Sequence, residues 1–269
     1  MRTLSWPAIA GLCTFLSVAS VGAAPGVAEF SRDEALAFSQ AAIGETLAGV
    51  TLVSSDGQQI AVEDFRGKPL VISLIFTSCH HICPSTTQYL QEVVKKARGA
   101  LDEDSFQVVT VGFDVDNDSP ERMAQFGRTN GVTDSRWQFL AGDEVAIDSL
   151  VSQLGFIYLP SSRGFDHLIQ STIVDADGRI YRQVYGITFP TPQLIEPLKE
   201  LVFGHPKEQS SLSYLGNRIR LFCTVYDPAT DSYRIDVSVF IGTIVGIITS
   251  LVFGRMLFKE WRKSIKAGR

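Results

Sequence analysis

Residues 70–84 have the sequence LVISLIFTSCHHICP. The first seven residues form an almost continuous apolar run, which predicts a strand buried on both faces. Pro84 follows, and residues 89–101 carry apolar side chains at helical spacing, which predicts an amphipathic helix. Cys79 and Cys83 therefore lie where a buried strand ends and a helix begins.

The flanking sequence continues this alternation of strands and helices. Residues 44–70 indicate a short hairpin region with a turn at Asp56-Gly57, and residues 106–115 a second buried strand. After them we expect a helix from Ser119-Pro120 to about residue 129, a strand at 137–140, a helix at 143–154, a hairpin at 167–184 and a last helix ending at 203. This order predicts an α/β fold, with a mostly parallel sheet that has an antiparallel edge and is flanked by helices.

Composition and charge limit the function. The chain is 45% hydrophobic and 20% charged and contains 17 Phe, so it can bury a core and is neither disordered nor a small disulfide scaffold. A formal charge of −5 and a pI near 5.4 argue against nucleic-acid binding. Residues 24–236 hold 17 Lys and Arg against 28 Asp and Glu, a net −11, whereas residues 255–269 hold six basic residues against one acidic. An acidic body is joined to a basic tail.

The N-terminus has the layout of a secretory signal peptide, predicted over residues 1–23. Arg2 precedes an apolar stretch, and small residues lead to a cleavage site after Ala23. An uncleaved N-terminal anchor is the alternative. Residues 24–43 are expected to be a linker to the folded domain.

The C-terminal part predicts a membrane anchor. A polar connector at 205–236 leads to residues 237–254, which carry no charge, and the predicted transmembrane helix covers 237–258. The basic tail at 259–269 predicts a cytoplasmic C-terminus and a body that faces the periplasm. Gly242 and Gly246 form a small-residue pair that could seat a second copy, so a homodimer is possible in this prediction.

The two cysteines carry the chemistry of the chain. A helix N-terminus stabilises thiolates, so we expect the pKa of both thiols to be lowered, and the four-residue spacing predicts that they share one helical face. Such a pair either closes a disulfide or holds a soft metal such as Cu(I), and two inert core thiols are the third possibility. Zinc is disfavoured because no second ligand pair is present, and haem because Pro84 stands where a histidine would be required.

Four motifs follow one another along the chain: Gly67-Lys68-Pro69, Thr77-x-Cys79-x-x-x-Cys83-Pro84, Asp114-x-x-x-Asp118-Ser119-Pro120-Glu121, and Asp166-His167 with Asp177-Gly178 downstream. In this order and spacing they resemble the Sco/SenC family of thioredoxin-like copper chaperones. The resemblance covers roughly residues 40–204 and implies a thioredoxin-like domain, predicted at 44–204. It further implies copper binding by Cys79, Cys83 and His167, and a role in assembling the dinuclear copper centre of cytochrome c oxidase, whose copper-receiving subunit would be the partner.

Two positions depart from the family pattern. Leu168 stands in place of a small hydroxyl residue and Val115 in place of a proline, but neither change removes a ligand.

Other polar residues near these motifs have open roles. His80 and His81 are competing donors that we expect to face solvent. Asp114 and Asp118 either hydrogen-bond the cysteine site or attract a cation there, or else form a solvated acidic loop. Cys223, the odd cysteine, is an inert thiol, an additional redox or metal-handling thiol, or one half of an intermolecular disulfide.

Two classes of function fit these residues. The first is a membrane-anchored metallochaperone that delivers copper to the oxidase or prepares its copper site. The second is a thiol-disulfide oxidoreductase that uses Cys79 and Cys83 as a redox pair on periplasmic substrates. A purely structural extracellular anchor would leave the cysteines and His167 without a role.

Overall fold

The structure, a computed structural model, describes residues 30–204, 224–227, 232–235 and 238–267. The predicted signal peptide, most of the predicted connector at 205–236, and Cys223 lie outside the described residues. Eleven strands and six helices, with one 3₁₀ helix at Val62–Phe65, make up the described part. The strands are β1 (Thr51–Val53), β2 (Gln59–Ala61), β3 (Leu70–Ile75), β4 (Gln107–Gly112), β5 (Trp137–Leu140), β6 (Tyr158–Ser161), β7 (Gly164–His167), β8 (Gln170–Val174), β9 (Ile180–Tyr185), β10 (Thr224–Asp227) and β11 (Ser232–Ile235). The helices are α1 (Arg32–Ala41), α2 (Ile82–Leu101), α3 (Pro120–Thr129), α4 (Glu144–Gln153), α5 (Pro192–Gly204) and α6 (Ser238–Ala267).

Five strands form the central sheet in the order β5-β4-β3-β8-β9. Strands β3, β4 and β5 are parallel, whereas β8 is antiparallel to both β3 and β9. All six residues of the central strand β3 are buried, as its apolar run predicts. The mixed sheet expected from the sequence is therefore confirmed.

Helices cover both faces of this sheet. On one face α2 and α5 contribute Leu90, Val93, Leu194 and Leu198 to a core that also contains Val71 of β3. The other face is lined by α3 and α4 and by aromatic side chains that follow β3 and β4. Because the carboxyl ends of β3 and β4 lie at the same edge, the loops after them come together there.

Helix α1 replaces most of the linker predicted at 24–43. Ser31 caps it, and the side-chain hydroxyl accepts a hydrogen bond from the amide of Glu34 at 3.4 Å. Ser39 is buried and lies 2.8 Å from the hydroxyl of Tyr185 on β9. The sequence prediction of a linker at 24–43 did not anticipate a helix at 32–41, because it overlooked this cap and the acidic first turn.

The hairpin predicted to open at His167 begins later. Strands β6 and β7 form a separate two-stranded hairpin, and His167 is the last residue of β7. Strand β8 starts at Gln170. Both strands of this additional hairpin are only four residues long and contain Pro160 and Gly164, so neither shows a clear alternating pattern in the sequence.

The C-terminal helix α6 covers nearly all of the predicted membrane span at 237–258. Several of its apolar side chains are exposed, among them Leu251 and Phe253. Within the described residues, however, no helix combines the length and the apolar character that crossing a bilayer requires.

Candidate metal centre

The two cysteines lie at the carboxyl end of β3. Cys79 is half-buried in the loop before α2, where its amide donates to the carbonyl of Phe76 at 3.1 Å. Cys83 is buried in the first turn of α2, and its amide donates to Cys79 Sγ at 3.4 Å. Both thiols are free. The expected shared helical face was wrong, because α2 begins at Ile82, but the helix N-terminus nevertheless holds the Cys79 sulfur beside Cys83.

Burial reverses the pKa shift that the helix terminus predicts for Cys83. Loss of solvent around the Cys83 sulfur raises the pKa of this thiol, and the nearby Cys79 and Asp118 raise it further. A hydrogen bond with the backbone of Phe76 acts in the opposite direction but is the smaller effect. Cys83 is therefore a protonated thiol at neutral pH, and a metal or an oxidation step must displace its proton.

His167 packs against aromatic rings beside the cysteine loop. The centroid of its ring is 5.4 Å from that of Phe113, 5.3 Å from that of Phe156 and 6.1 Å from that of Phe76. Its Nδ1 lies 2.7 Å from the carbonyl oxygen of Leu168, so Nδ1–H donates and Nε2 keeps its lone pair. Burial lowers the pKa of His167, which favours the neutral imidazole that metals bind.

The structure brings the cysteines together but does not close a three-ligand site. Phe76 links the two parts, because its carbonyl accepts from Cys79 and its ring contacts His167. No three Cys, His, Asp or Glu side chains are grouped to hold a metal in the part of the chain that the structure describes. The ligand set of Cys79, Cys83 and His167 therefore stays a prediction, one that requires the side chains to move together when metal binds.

His80 and His81 are exposed, as predicted. His81 is the residue before α2 and makes no side-chain cap bond, and His80 lines a groove on the side of α3.

The two aspartates after β4 hydrogen-bond the cysteine loop, which agrees with the first of the roles left open for them. Asp118 is 2% exposed and accepts from the amide and hydroxyl of Thr77 at 2.8 and 2.7 Å, and from the amide of Asp114 at 3.0 Å. Asp114 accepts from the hydroxyl of Ser78 at 3.4 Å. Burial raises the pKa of Asp118 although these bonds to its carboxylate oppose the shift. A solvated acidic loop is excluded by this burial.

Sequence reasoning missed two features of this site. Thr77 connects Asp118 to the loop, and only its position beside the cysteine motif hinted at a role. The aromatic rings that contact His167 were not anticipated either, and one of them, Phe113, also contacts Tyr158 and Phe165 of the β6–β7 hairpin. Closely spaced aromatic residues at 156, 158 and 165 were the available signal.

Comparison with known proteins identifies the family. The SCO1/SenC family model matches residues 44–202, more than half of the chain. The mouse (Mus musculus) protein SCO2 homolog, mitochondrial, is 27% identical over 177 residues, a match that spans 62% of this chain and 65%, just under two thirds, of the mouse protein.

Solved structures share the fold. A copper-bound Arabidopsis thaliana ScoI has a TM-score of 0.51 and 18% identity, and the match covers 59% of this chain and 99% of the other. BsSco, described as a member of the Sco family of cytochrome c oxidase assembly proteins with a disulfide switch, has a TM-score of 0.50 and 22% identity over 60% of this chain and 97% of the other. Together with the matched residues 44–202, which contain both cysteines, His167 and the aspartate pair, these results show that the chain belongs to the SCO1/SenC family.

Proposed function

We propose that this protein binds copper through Cys79, Cys83 and His167 and delivers it to the dinuclear copper site of cytochrome c oxidase. The observation that carries this proposal is the pairing of two cysteines with a neutral imidazole on the β6–β7 hairpin; the Cys83 amide donates to Cys79 Sγ at 3.4 Å and so holds that sulfur at the first turn of α2. Two thiolates and one imidazole suit copper, and Cu(I) in particular prefers the soft sulfur donors. Copper is also bound in the Arabidopsis ScoI that shares the fold.

Each predicted ligand has a distinct contribution. Cys79 is only half-buried, so a partner or a metal can reach it. Cys83 is buried, and its thiol must lose a proton when metal binds. His167 Nε2 is the nitrogen available to a metal, because Nδ1 is fixed by Leu168. Cu(II) depends more on His167 than Cu(I) does, because two thiolates can hold Cu(I) alone.

Copper titration of the reduced full chain tests this proposal. We expect one copper per chain, and we expect Cys79→Ala and Cys83→Ala each to abolish tight binding. Cys223→Ala is the control and should keep the full stoichiometry. Undiminished binding by either of the first two variants would exclude the proposed ligand set.

A thiol-disulfide oxidoreductase is the second candidate, favoured by a specific observation. An accessible Cys79 beside a buried Cys83 is an arrangement in which one sulfur meets a substrate and the other resolves the mixed disulfide. BsSco, which has the same fold, is described with a disulfide switch.

The proposed place of action is the outer face of the cytoplasmic membrane, in the periplasm. This part of the proposal rests on the sequence: an export signal at 1–23, an uncharged stretch at 237–254 and a basic tail. The exposed apolar side chains of α6 are consistent with it, although no spanning helix is found among the described residues. Anchoring would keep the protein at the membrane that holds its proposed acceptor and so raise the effective concentration of both.

A further inference from the structure

A groove of about 460 Å³ lies beside Cys79, between α2 and α3. Cys79 and His80 form part of its lining, with Gln88 from α2 and Arg122 and Gln125 from α3. His167 is not among the residues that line it. Cys79 is therefore accessible from a side that the hairpin carrying His167 does not occupy.

The described lining of the groove carries a positive charge, whereas the body of the protein is acidic. Its described lining contains no carboxylate, and Arg122 is its one guanidinium. Arg122 is exposed and donates to the carbonyl of Asn117 at 3.0 Å, but it forms no ion pair with any described residue. The neighbouring carboxylate of Glu121 instead accepts from the hydroxyl of Ser119 at 2.7 Å. An arginine that makes no ion pair with any described residue thus shares the groove with Cys79, in a body whose net charge is −11 over residues 24–236.

We infer that this groove receives an extended segment of the copper-accepting protein, with a carboxylate of that segment against Arg122 and a ligating thiol at Cys79. The inference rests on the proposed function. It adds that the partner approaches Cys79 from the side of α3 and that it presents a carboxylate and a thiol. A guanidinium pairs with a carboxylate through two parallel hydrogen bonds, which orients the segment as well as attracting it. Gln88, whose amide makes a long bond of 3.4 Å to Asn130, supplies a group that an incoming backbone can engage.

Transfer in this geometry is a ligand exchange. A bond forms between the partner's sulfur and Cu(I), and the bond between Cu(I) and Cys79 Sγ breaks. The proton lost by the incoming thiol is gained by the departing Cys79 thiolate, so the oxidation state of copper is unchanged and no oxidant or reductant is consumed.

The charge of the groove is tested without metal or partner. The reduced full chain is alkylated with iodoacetate, an anion, or with iodoacetamide, its neutral counterpart, and modification of Cys79 is followed by peptide mass spectrometry. In both reactions the sulfur bonds to carbon and iodide leaves. We expect Arg122→Gln to lower the ratio of the two rates at Cys79 about two- to fivefold at low salt. Arg182→Gln removes the same charge at β9, the opposite edge of the sheet, and should leave the ratio unchanged.

The partner chemistry is tested by copper transfer from the Cu(I)-loaded full chain. Two-cysteine peptides of matched length, flanked by acidic or by neutral residues, serve as acceptors. We expect the acidic peptide to take copper about two- to fivefold faster at low salt, and we expect this advantage to disappear in Arg122→Gln but not in Arg182→Gln. Equal rates for both peptides, or an advantage that survives Arg122→Gln, would overturn the inference while the copper proposal stands. Failure of the chain to load copper would overturn the proposed function instead, and the alkylation ratio would still report on the groove.

Discussion

Asp118 accepts hydrogen bonds from both the backbone amide and the hydroxyl of Thr77, at 2.8 and 2.7 Å, although the two residues are 41 positions apart. Thr77 lies two residues before Cys79, so a buried carboxylate after β4 fixes the loop after β3. The position of the cysteine pair therefore depends on Asp118 as well as on the helix that follows.

Asp118→Asn should change how stability depends on pH. Burial raises the pKa of Asp118 above the ordinary range of an aspartate, so the folded chain binds this proton more tightly than the unfolded chain does. As the pH rises and the buried Asp118 carboxyl loses its proton, the wild-type protein loses stability that the asparagine variant cannot lose. We expect the difference in free energy of unfolding, wild type minus Asp118→Asn, to fall as the pH rises above the pKa of an unperturbed aspartate. Denaturant titrations at several pH values measure it, and a difference that grows with pH would contradict the assignment.

Gly112→Ala should displace Asp118 and so disturb its hydrogen bonds to Thr77. A Cβ at Gly112 would lie 2.5 Å from the Cβ of Asp118 and 2.7 Å from the sulfur of Met123. We expect a loss of about 1–3 kcal/mol in the free energy of unfolding and weaker copper binding. Gly99→Ala is the control, because its Cβ meets nothing within 4 Å, and in helix α2 it should stabilise by up to about 1 kcal/mol. Equal stability of the two variants would show that the close approach to Asp118 is tolerated.

His167→Phe should separate metal binding from packing. The imidazole lies among Phe76, Phe113 and Phe156, so a phenyl ring fills similar space and stability should change by less than about 1.5 kcal/mol. His167→Ala leaves that space empty and should cost about 1–3 kcal/mol. Both variants should weaken Cu(II) binding roughly tenfold or more, and Cu(I) binding less. A Cu(II) spectrum of His167→Phe identical to that of the wild type would remove this residue from the ligand set.

The sequence at the two termini predicts membrane attachment and its orientation. We expect the full chain to remain in the membrane fraction after alkaline carbonate washing, and a chain that ends at residue 236 to be released. A reporter fused after Arg269 should be active only in the cytoplasm, because the positive-inside rule predicts that the basic tail stays on that side. Release of the full chain by carbonate would exclude the anchor, and the opposite reporter pattern would reverse the orientation.

Loss of the protein should distinguish copper delivery from thiol chemistry. If delivery is the task, cytochrome oxidase activity should fall when copper is scarce and recover when copper is added, because mass action can replace a carrier. If thiol reduction is the task, added reductant should restore activity and added copper should not, since the acceptor cysteines must be thiolates before they bind metal. We expect recovery with copper. Recovery with reductant alone, together with normal activity of His167→Phe, would favour the oxidoreductase.

Local signals in the sequence were sufficient for much of the fold. Ser119-Pro120 predicted the start of α3, where Ser119 is indeed the cap, and the apolar runs predicted β3 and β4. The β6–β7 hairpin was missed because short strands interrupted by Pro160 and Gly164 lack a periodic pattern.

The environment of the site depended on contacts between distant residues. The expected lowering of the Cys83 pKa followed from its place in α2, but its burial is produced by side chains elsewhere in the chain, and that burial dominates. The bond from Thr77 to Asp118 and the rings around His167 likewise join separate segments, so no local motif encodes them.

The β6–β7 hairpin is hydrogen-bonded within itself and contributes no strand to the five-stranded sheet. Opening it therefore breaks no ladder bond of that sheet, and the free energy of this local opening is separate from that of global unfolding. Amide hydrogens of residues 164–167 should accordingly exchange with solvent deuterium faster than those of residues 170–174. The hairpin that carries His167 can therefore rearrange around a bound metal while the five-stranded sheet keeps its structure.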